Sequence, residues 1–322
     1  MRARIHERVH ADALAWFSNL VAISNPPNGT WFQPSLARYS RIQLGTFSRK
    51  CHIFSKKATT EKVYNDAAHS RLRLYSYRRE MDVSDDVLAL RALRATWPEL
   101  QEVWSEAAQP EDWYGVTMED GRVVKLMLLG FCLTGAVPAE IGRLTSLVGL
   151  YLVDNMLTSL PAEIGQLTSL RELNLGDNQL TSLPAEIGQL TSLRELDLYG
   201  NRLTSLPVEI WQLTSLRDLS FSGNQLTSVS AKIGQLTLLT ELRLYNNQLT
   251  SLPAEIGQLT SLVKLMLFSN RLTSLPAEIG QLTSLKVLNL HGNQPSSLPA
   301  AIRELRAAGC NVYMDEGVTI DE

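Results

Sequence analysis

The sequence predicts an α/β solenoid: a right-handed coil of about eight short repeats with a parallel sheet along its concave side and a helical cap at its N-terminal end. Three observations predict it. Asn155, Asn178, Asn201, Asn224, Asn247, Asn270 and Asn293 follow one another at intervals of 23 residues. Each lies in the frame L-x-x-L-x-L-x-x-N-x-L or a close variant, as in Leu170-Arg-Glu-Leu173-Asn-Leu175-Gly-Asp-Asn178-Gln-Leu180. Most copies are followed by L-T-S-L-P-A-E-I-G-Q-L or a near version of it, so the whole unit repeats. An earlier unit, 123–138, keeps the leucine spacing but places Phe131 where the asparagine belongs.

Each part of the unit has a physical reason. The alternation L-x-L marks a short strand with its leucines on one face. A single strand cannot bury them, but stacked neighbours build a continuous core, each buried leucine contributing roughly 1.5–3 kcal/mol before entropy. The asparagine amide satisfies backbone groups where the chain leaves the strand. Pro161 and its equivalents preset a helical turn, Ile164 packs inward, and Gly165 is expected to end the turn. Eight parallel strands at ~4.8 Å spacing make a curved ribbon on the order of 35–40 Å long.

The frame and period are those of leucine-rich repeats, and the chain resembles that family over roughly residues 84–312. Residues 84–138 resemble the plant-type N-terminal cap, with W-x-G-V at Trp113-Tyr-Gly115-Val116, G-R-V at Gly121-Arg-Val123 and L-x-G-x-[IV]-P at Leu133-Thr-Gly135-Ala-Val137-Pro138. The later repeats, with L-x-x-L-P-x-x-I-x-x-L, are similar to those of Ras-group, SHOC2-like intracellular proteins. Where secreted caps carry cysteines this chain has Glu111 and Met118. The resemblance therefore implies an intracellular interaction protein rather than a receptor.

The caps follow the same logic. Ser84-Asp85-Asp86 starts a helix with acids in its first turn. Leu90, Leu93, Trp97, Leu100 and Trp104 have helical spacing that Pro98 divides in two. Two strands flank an Asp120-Gly121 turn. At the other end, 299–305 form the last outer segment, 310–314 a final edge strand, and Asp315, Glu316, Asp321 and Glu322 an acidic tail. The chain thus divides into 1–80, a basic extension; 81–122, the cap; 123–298, the repeats; and 299–322, the C-terminal cap and tail.

Residues 1–80 carry 14 Lys and Arg against 5 Asp and Glu, a balance of +9, so 81–322 carry 16 against 28, or −12. The extension suits a disordered tail, a transit peptide or a stretch upstream of a true start at Met81. Its apolar stretch 11–23 is short for a signal peptide, and Asn28-Gly-Thr30 matches a glycosylation site. No apolar run reaches the ~18 residues of a membrane span. Cys51, Cys132 and Cys310 are scattered and lack metal or redox spacing, which suits a reducing compartment. Cytoplasmic residence is expected, with organelle targeting through 1–80 as the alternative.

With the outer segments nearly invariant, individuality lies in three columns of strand residues. The first runs Lys125, Gly149, Glu172, Glu195, Asp218, Glu241, Lys264, Val287, the second Met127, Tyr151, Asn174, Asp197, Ser220, Arg243, Met266, Asn289. The third runs Leu129, Val153, Gly176, Tyr199, Ser222, Tyr245, Phe268, His291. An acidic strip of Glu172, Glu195, Asp197, Asp218 and Glu241 is expected beside a patch of Tyr199, Tyr245, Met266, Phe268 and His291, with Tyr151 and Arg243 completing the candidate contact set. Such a face suits a protein partner with a basic segment. Arg171, Arg194 and Arg217 neighbour the acids and offer a neutralised, solvated surface as the alternative. Trp211, in the place of the usual glycine, and the departure Val229-Ser230-Ala-Lys232 mark either an exposed second contact or drift on a tolerant surface.

No phosphate loop, dinucleotide turn, zinc-binding pair or kinase set occurs, so no catalysis, cofactor or metal is expected. His291, alone among the five histidines, lies in the repeats and has no evident nucleophile beside it. The acidity of 81–322 argues against nucleic acid. The expected function is a scaffold or adaptor in intracellular signalling, the alternative being the substrate-recognition module of a ligase or phosphatase complex.

Overall fold

The structure, a computed structural model, describes residues 84–322. The expectations for residues 1–80, Met81 and Cys51 fall outside the described residues.

Helix α1 (Asp85–Thr96) opens at Ser84, whose hydroxyl accepts the Val87 N–H at 3.4 Å. Asp86, in its first turn, is fully buried and accepts from the Val123 N–H at 2.6 Å and the Arg122 Nε at 3.0 Å. The acid read as a helix-start preference thus also fastens the cap to the sheet. Pro98 ends α1 and begins a 3-10 turn at Pro98–Glu102. The indoles of Trp97, Trp104 and Trp113 are buried and donate to the carbonyls of Thr134, Tyr114 and Ser105. Trp104 and Trp113 stack at 4.8 Å between centroids. Together they put a lid over the end of the leucine core.

Strands β1 (Val116–Glu119) and β2 (Arg122–Met127) form the expected hairpin, with Asp120 and Gly121 left-handed at φ 48° and 74°. From β2 onward the sheet is parallel. Its repeat strands are β4 (Gly149–Tyr151), β6 (Glu172–Asn174), β7 (Glu195–Asp197), β8 (Asp218–Ser220), β9 (Glu241–Arg243), β10 (Lys264–Met266) and β11 (Val287–Asn289). A short side ladder, β3 (Thr134–Ala136) with β5 (Met156–Ser159), joins the first two repeats. Register along the parallel repeat strands is in step: Leu173, Leu196, Leu219 and Leu242 stand opposite one another and are buried.

The asparagines behave as expected. Asn201 donates through Nδ2 to the carbonyls of Leu175, Leu198 and Tyr199 at 2.9, 3.1 and 3.2 Å, and its Oδ1 accepts the Leu180 N–H at 3.0 Å. One buried side chain thereby pairs four backbone groups from two repeats. Its equivalents do the same work along the coil.

On the outer side each repeat makes a five-residue 3-10 turn such as Ala162–Gln166, with Pro161 just before it at φ −77°. Gly165 does not end this turn, contrary to expectation. It lies within it, and the closing residue, Leu167, has φ −79°. A Cβ on Gly165 would press on the Glu186 carbonyl and the Gln189 side chain, so glycine is kept here for the close approach of the next turn. Trp211 breaks that rule, and the expected exposed contact is corrected: it is only 2% exposed. Its indole has room because the turns Val208–Gln212 and Ala231–Gln235 sit farther apart than the other adjacent turns. In the second of these Ser230 replaces proline, and its hydroxyl caps the turn by accepting the Lys232 N–H at 3.3 Å.

At the C-terminal end α2 (Ala301–Ala307) replaces the 3-10 turn, and β13 (Asn311–Tyr313) adds the expected edge strand beside β11. The acidic tail is not simply a tail. Residues Thr319–Ile320 form β14, which pairs with β12 (Ser297–Leu298). Asp315 folds onto the preceding repeat, accepting the Gly292 N–H at 2.7 Å and meeting His291 Nδ1 at 3.1 Å.

Candidate functional site

Alternation along each three-residue strand sends its central leucine into the core and its two flanking residues to the open face. Parallel register then turns sequence columns into physical columns. Glu172, Glu195, Asp218 and Glu241 stand opposite one another across four strands, four carboxylates in one row. Like charges facing each other across strands are destabilising. The Glu195 carboxyl is accordingly pushed above its usual range, by burial first and then by Glu172 and Asp218. Asp218 is raised by burial and by Glu241, with Arg243 and Lys264 opposing.

The row is answered from within the sheet. Arg243 donates to Glu241 at 2.7 Å, and Lys264 reaches the other oxygen at 3.4 Å. No ion pair among the described residues joins Arg171, Arg194 or Arg217 to the strip; all three are exposed. Asp197 spends one oxygen on the Tyr199 N–H at 2.9 Å. Burial raises its carboxyl, and that bond, Arg243 and Ser220 oppose the rise.

Residues Ser220 and Ser222 matter by being small. Ser220 lies between Asp197 and Arg243 on adjacent strands and is 2% exposed. Ser222, fully buried, separates Tyr199 from Tyr245 by sequence, yet those rings approach to 6.2 Å between centroids. Two strand spacings would be ~9.6 Å, so the rings lean over the serine. Tyr245 then stacks on Phe268 at 4.3 Å, the planes within 8°. The result is a half-buried aromatic ladder beside the carboxylates.

Other members of the expected set are placed differently. Tyr151 is buried: its ring lies back over Gly149, with Lys125 Nζ 4.8 Å above it and its hydroxyl donating to Glu172. Met266 is also buried. His291 stands beside Asp315 and Tyr313, one repeat beyond the ladder.

Two residues escaped the sequence columns. Asp154 and Asp177 precede the ladder asparagines and are left-handed at φ 57° and 49°. Their equivalents Gly200, Gly223, Asn246, Ser269 and Gly292 are left-handed too. That recurrence of Gly, Asn and Asp at one frame position was the available clue. Asp177 leans over Gly200, where any Cβ would collide with its carboxylate. Burial, then Asp154 and Asp197, raises its pKa from 3.8 to about 7. Tyr199 is raised by burial, then by Asp177 and Asp197. No group of His, Cys, Asp or Glu among the described residues is arranged to hold a metal ion.

The repeating strand, asparagine ladder and 3-10 turn define a parallel-sheet solenoid whose variable residues line one open face. The leucine-rich repeat region family matches residues 119–220, 162–269 and 205–307, and the chain belongs to it. A leucine-rich-repeat protein of Leptospira interrogans is 46% identical over 59% of this chain and 48% of its own, with a TM-score of 0.55. The ectodomain of the plant membrane receptor kinase GASSHO1/SCHENGEN3 from Arabidopsis thaliana, solved in complex with Casparian strip integrity factor 2, is 29% identical over 73% of this chain and 30% of its own, with a TM-score of 0.64. A TDR receptor is 27% identical over 61% and 35% of the two chains, with a TM-score of 0.55. This chain thus spans less than half the length of each. No curated protein gives a significant match. No helix among the described residues is long and apolar enough to cross a membrane.

Proposed function

We propose that this protein is an interaction scaffold or adaptor that binds a protein partner on the open face of its sheet. One observation carries the reading: the in-register row Glu172, Glu195, Asp218 and Glu241. Four facing carboxylates cost stability, and among the described residues the Tyr151 hydroxyl relieves Glu172 while Arg243 and Lys264 relieve Glu241. A core scaffold gains nothing from such a row, whereas a partner bearing positive charge does. The aromatic ladder alongside supplies the apolar area that interfaces favour. The same acids repel nucleic acid, and no catalytic step is assigned to them.

The similarity of the later repeats to Ras-group, SHOC2-like proteins and the absence of the cap cysteines support a cytoplasmic setting in signalling. The receptor ectodomain solved in complex with a factor supports partner recognition by a chain of this fold. The test is the triple variant Glu195→Lys, Asp197→Lys, Asp218→Lys, checked for folding by circular dichroism. Loss of the wild-type partners in affinity capture is expected. Capture of the same partners at the same yield by the folded variant would refute the reading.

A further inference from the structure

We propose that the N-terminal cap carries a second binding site, independent of the sheet's open face. It is a cleft for a small organic acid, whose carboxylate bridges Arg91 and Arg94 and whose apolar body rests against Trp113.

The cleft lies between α1 and residues 106–113, with Arg91 and Arg94 on the helix side and Glu106, Ala108, Pro110 and Trp113 across from them. Its volume of about 390 Å³ is toward the low end of the roughly 300–1,000 Å³ of small-molecule sites. Ala108, Pro110 and the buried Trp113 make one wall apolar. The Trp113 ring is fixed from behind, stacked on Trp104 and donating its indole N–H to the Ser105 carbonyl at 2.9 Å. A guest therefore meets a preformed surface and has no side chain to order there.

The charged wall suits a carboxylate. Residues three apart on a helix share a face, about 5–6 Å apart at Cβ, so two guanidiniums there can hold the two oxygens of one carboxylate. Arg94 is positioned by its Nε, which donates to the Trp104 carbonyl at 2.5 Å, and its side chain is only 17% exposed. Its Nη1 already holds a carboxylate, that of Glu106, at 2.8 Å. Glu106 is itself 83% exposed, so this is a screened contact that a better-seated guest can displace. Arg91 is exposed, and no ion pair among the described residues engages it. Two cations against one carboxylate leave the cleft positive, although 81–322 as a whole carry 16 Lys and Arg against 28 Asp and Glu. The planar forks of the arginines match a carboxylate, and the apolar wall favours an organic acid over an inorganic anion.

The full-length chain is titrated with sodium 3-phenylpropionate by isothermal titration calorimetry. A Kd of about 1 mM or below is expected for a ligand of this size. The uncharged 3-phenylpropionamide and the bodiless acetate should each bind at least about tenfold more weakly. Arg91→Gln, at an exposed position, should weaken binding about fivefold or more, and Glu106→Gln should tighten it severalfold by freeing Arg94. In proton–nitrogen correlation spectra the Trp113 indole N–H should shift on binding while that of Trp211 stays in place. Absence of binding, equal binding of the amide, or unchanged affinity in folded Arg91→Gln would overturn the proposal. So would weaker binding by Glu106→Gln, or binding that leaves the Trp113 resonance where it was.

Discussion

Replacing Asp177 with asparagine should stabilise the protein at high pH and leave it unchanged in acid. The side chain suits the site, because Asn246 occupies the same left-handed position four-square in a later repeat, at φ 54°. Burial and the charges of Asp154 and Asp197 raise the Asp177 pKa from 3.8 to about 7. The folded chain therefore holds a proton between these values that the unfolded chain has released. Stability then falls as pH rises through that interval, and the cost is complete above about 7. At 1.36 kcal/mol per unit, about three units set an upper limit of roughly 4 kcal/mol. The carboxyl keeps some solvent contact, and screening reduces the expected cost to on the order of 1–2 kcal/mol. Urea denaturation followed by circular dichroism at pH 4 and pH 8 measures it. Asp177→Asn should match wild type at pH 4 and exceed it by about 1–2 kcal/mol at pH 8. A gain of equal size at both pH values would refute the assignment, because a neutral change in packing does not titrate.

Three further perturbations probe the scaffold. Asn201→Ala leaves the Leu180 N–H and the carbonyls of Leu175 and Leu198 without their amide partner; a loss of about 2–5 kcal/mol is expected, with faster amide exchange at Leu180 rather than at the chain's ends. Trp211→Gly restores the common repeat sequence yet should destabilise by about 3–5 kcal/mol, since the turns beside it are already spread around a buried indole; a rise in melting temperature would refute that account. Gly115→Ala places a methyl on the Met127 carbonyl at a residue with φ 78°, so it should cost at least ~2 kcal/mol and expose the cap tryptophans, read as a red-shifted fluorescence.

The sequence by itself determined the repeat, the strand residues that face outward, the asparagine ladder and both caps. These follow from local rules: a period of two in each strand, a period of 23 along the chain, and backbone groups that must be paired wherever they are buried. It also named the carboxylates of the acidic strip. What it could not supply was how neighbouring repeats lean on one another. Gly165 looked like a turn terminator because helix ends favour glycine, but the space it saves is for the next coil. Trp211 looked exposed because its equivalents are glycines on the outer side, and only the spread turns bury it. Tyr151 counted as a contact residue until Gly149 gave its ring a place to lie flat. The tertiary structure alone brought Asp177 near both Asp154 and Asp197 and closed Tyr199 over Ser222 toward Tyr245. Columns are a property of one chain's period, whereas side-chain direction and burial depend on what stands 23 residues away. That is why the face was legible in the sequence and the arrangement of its carboxylates and aromatic rings was not.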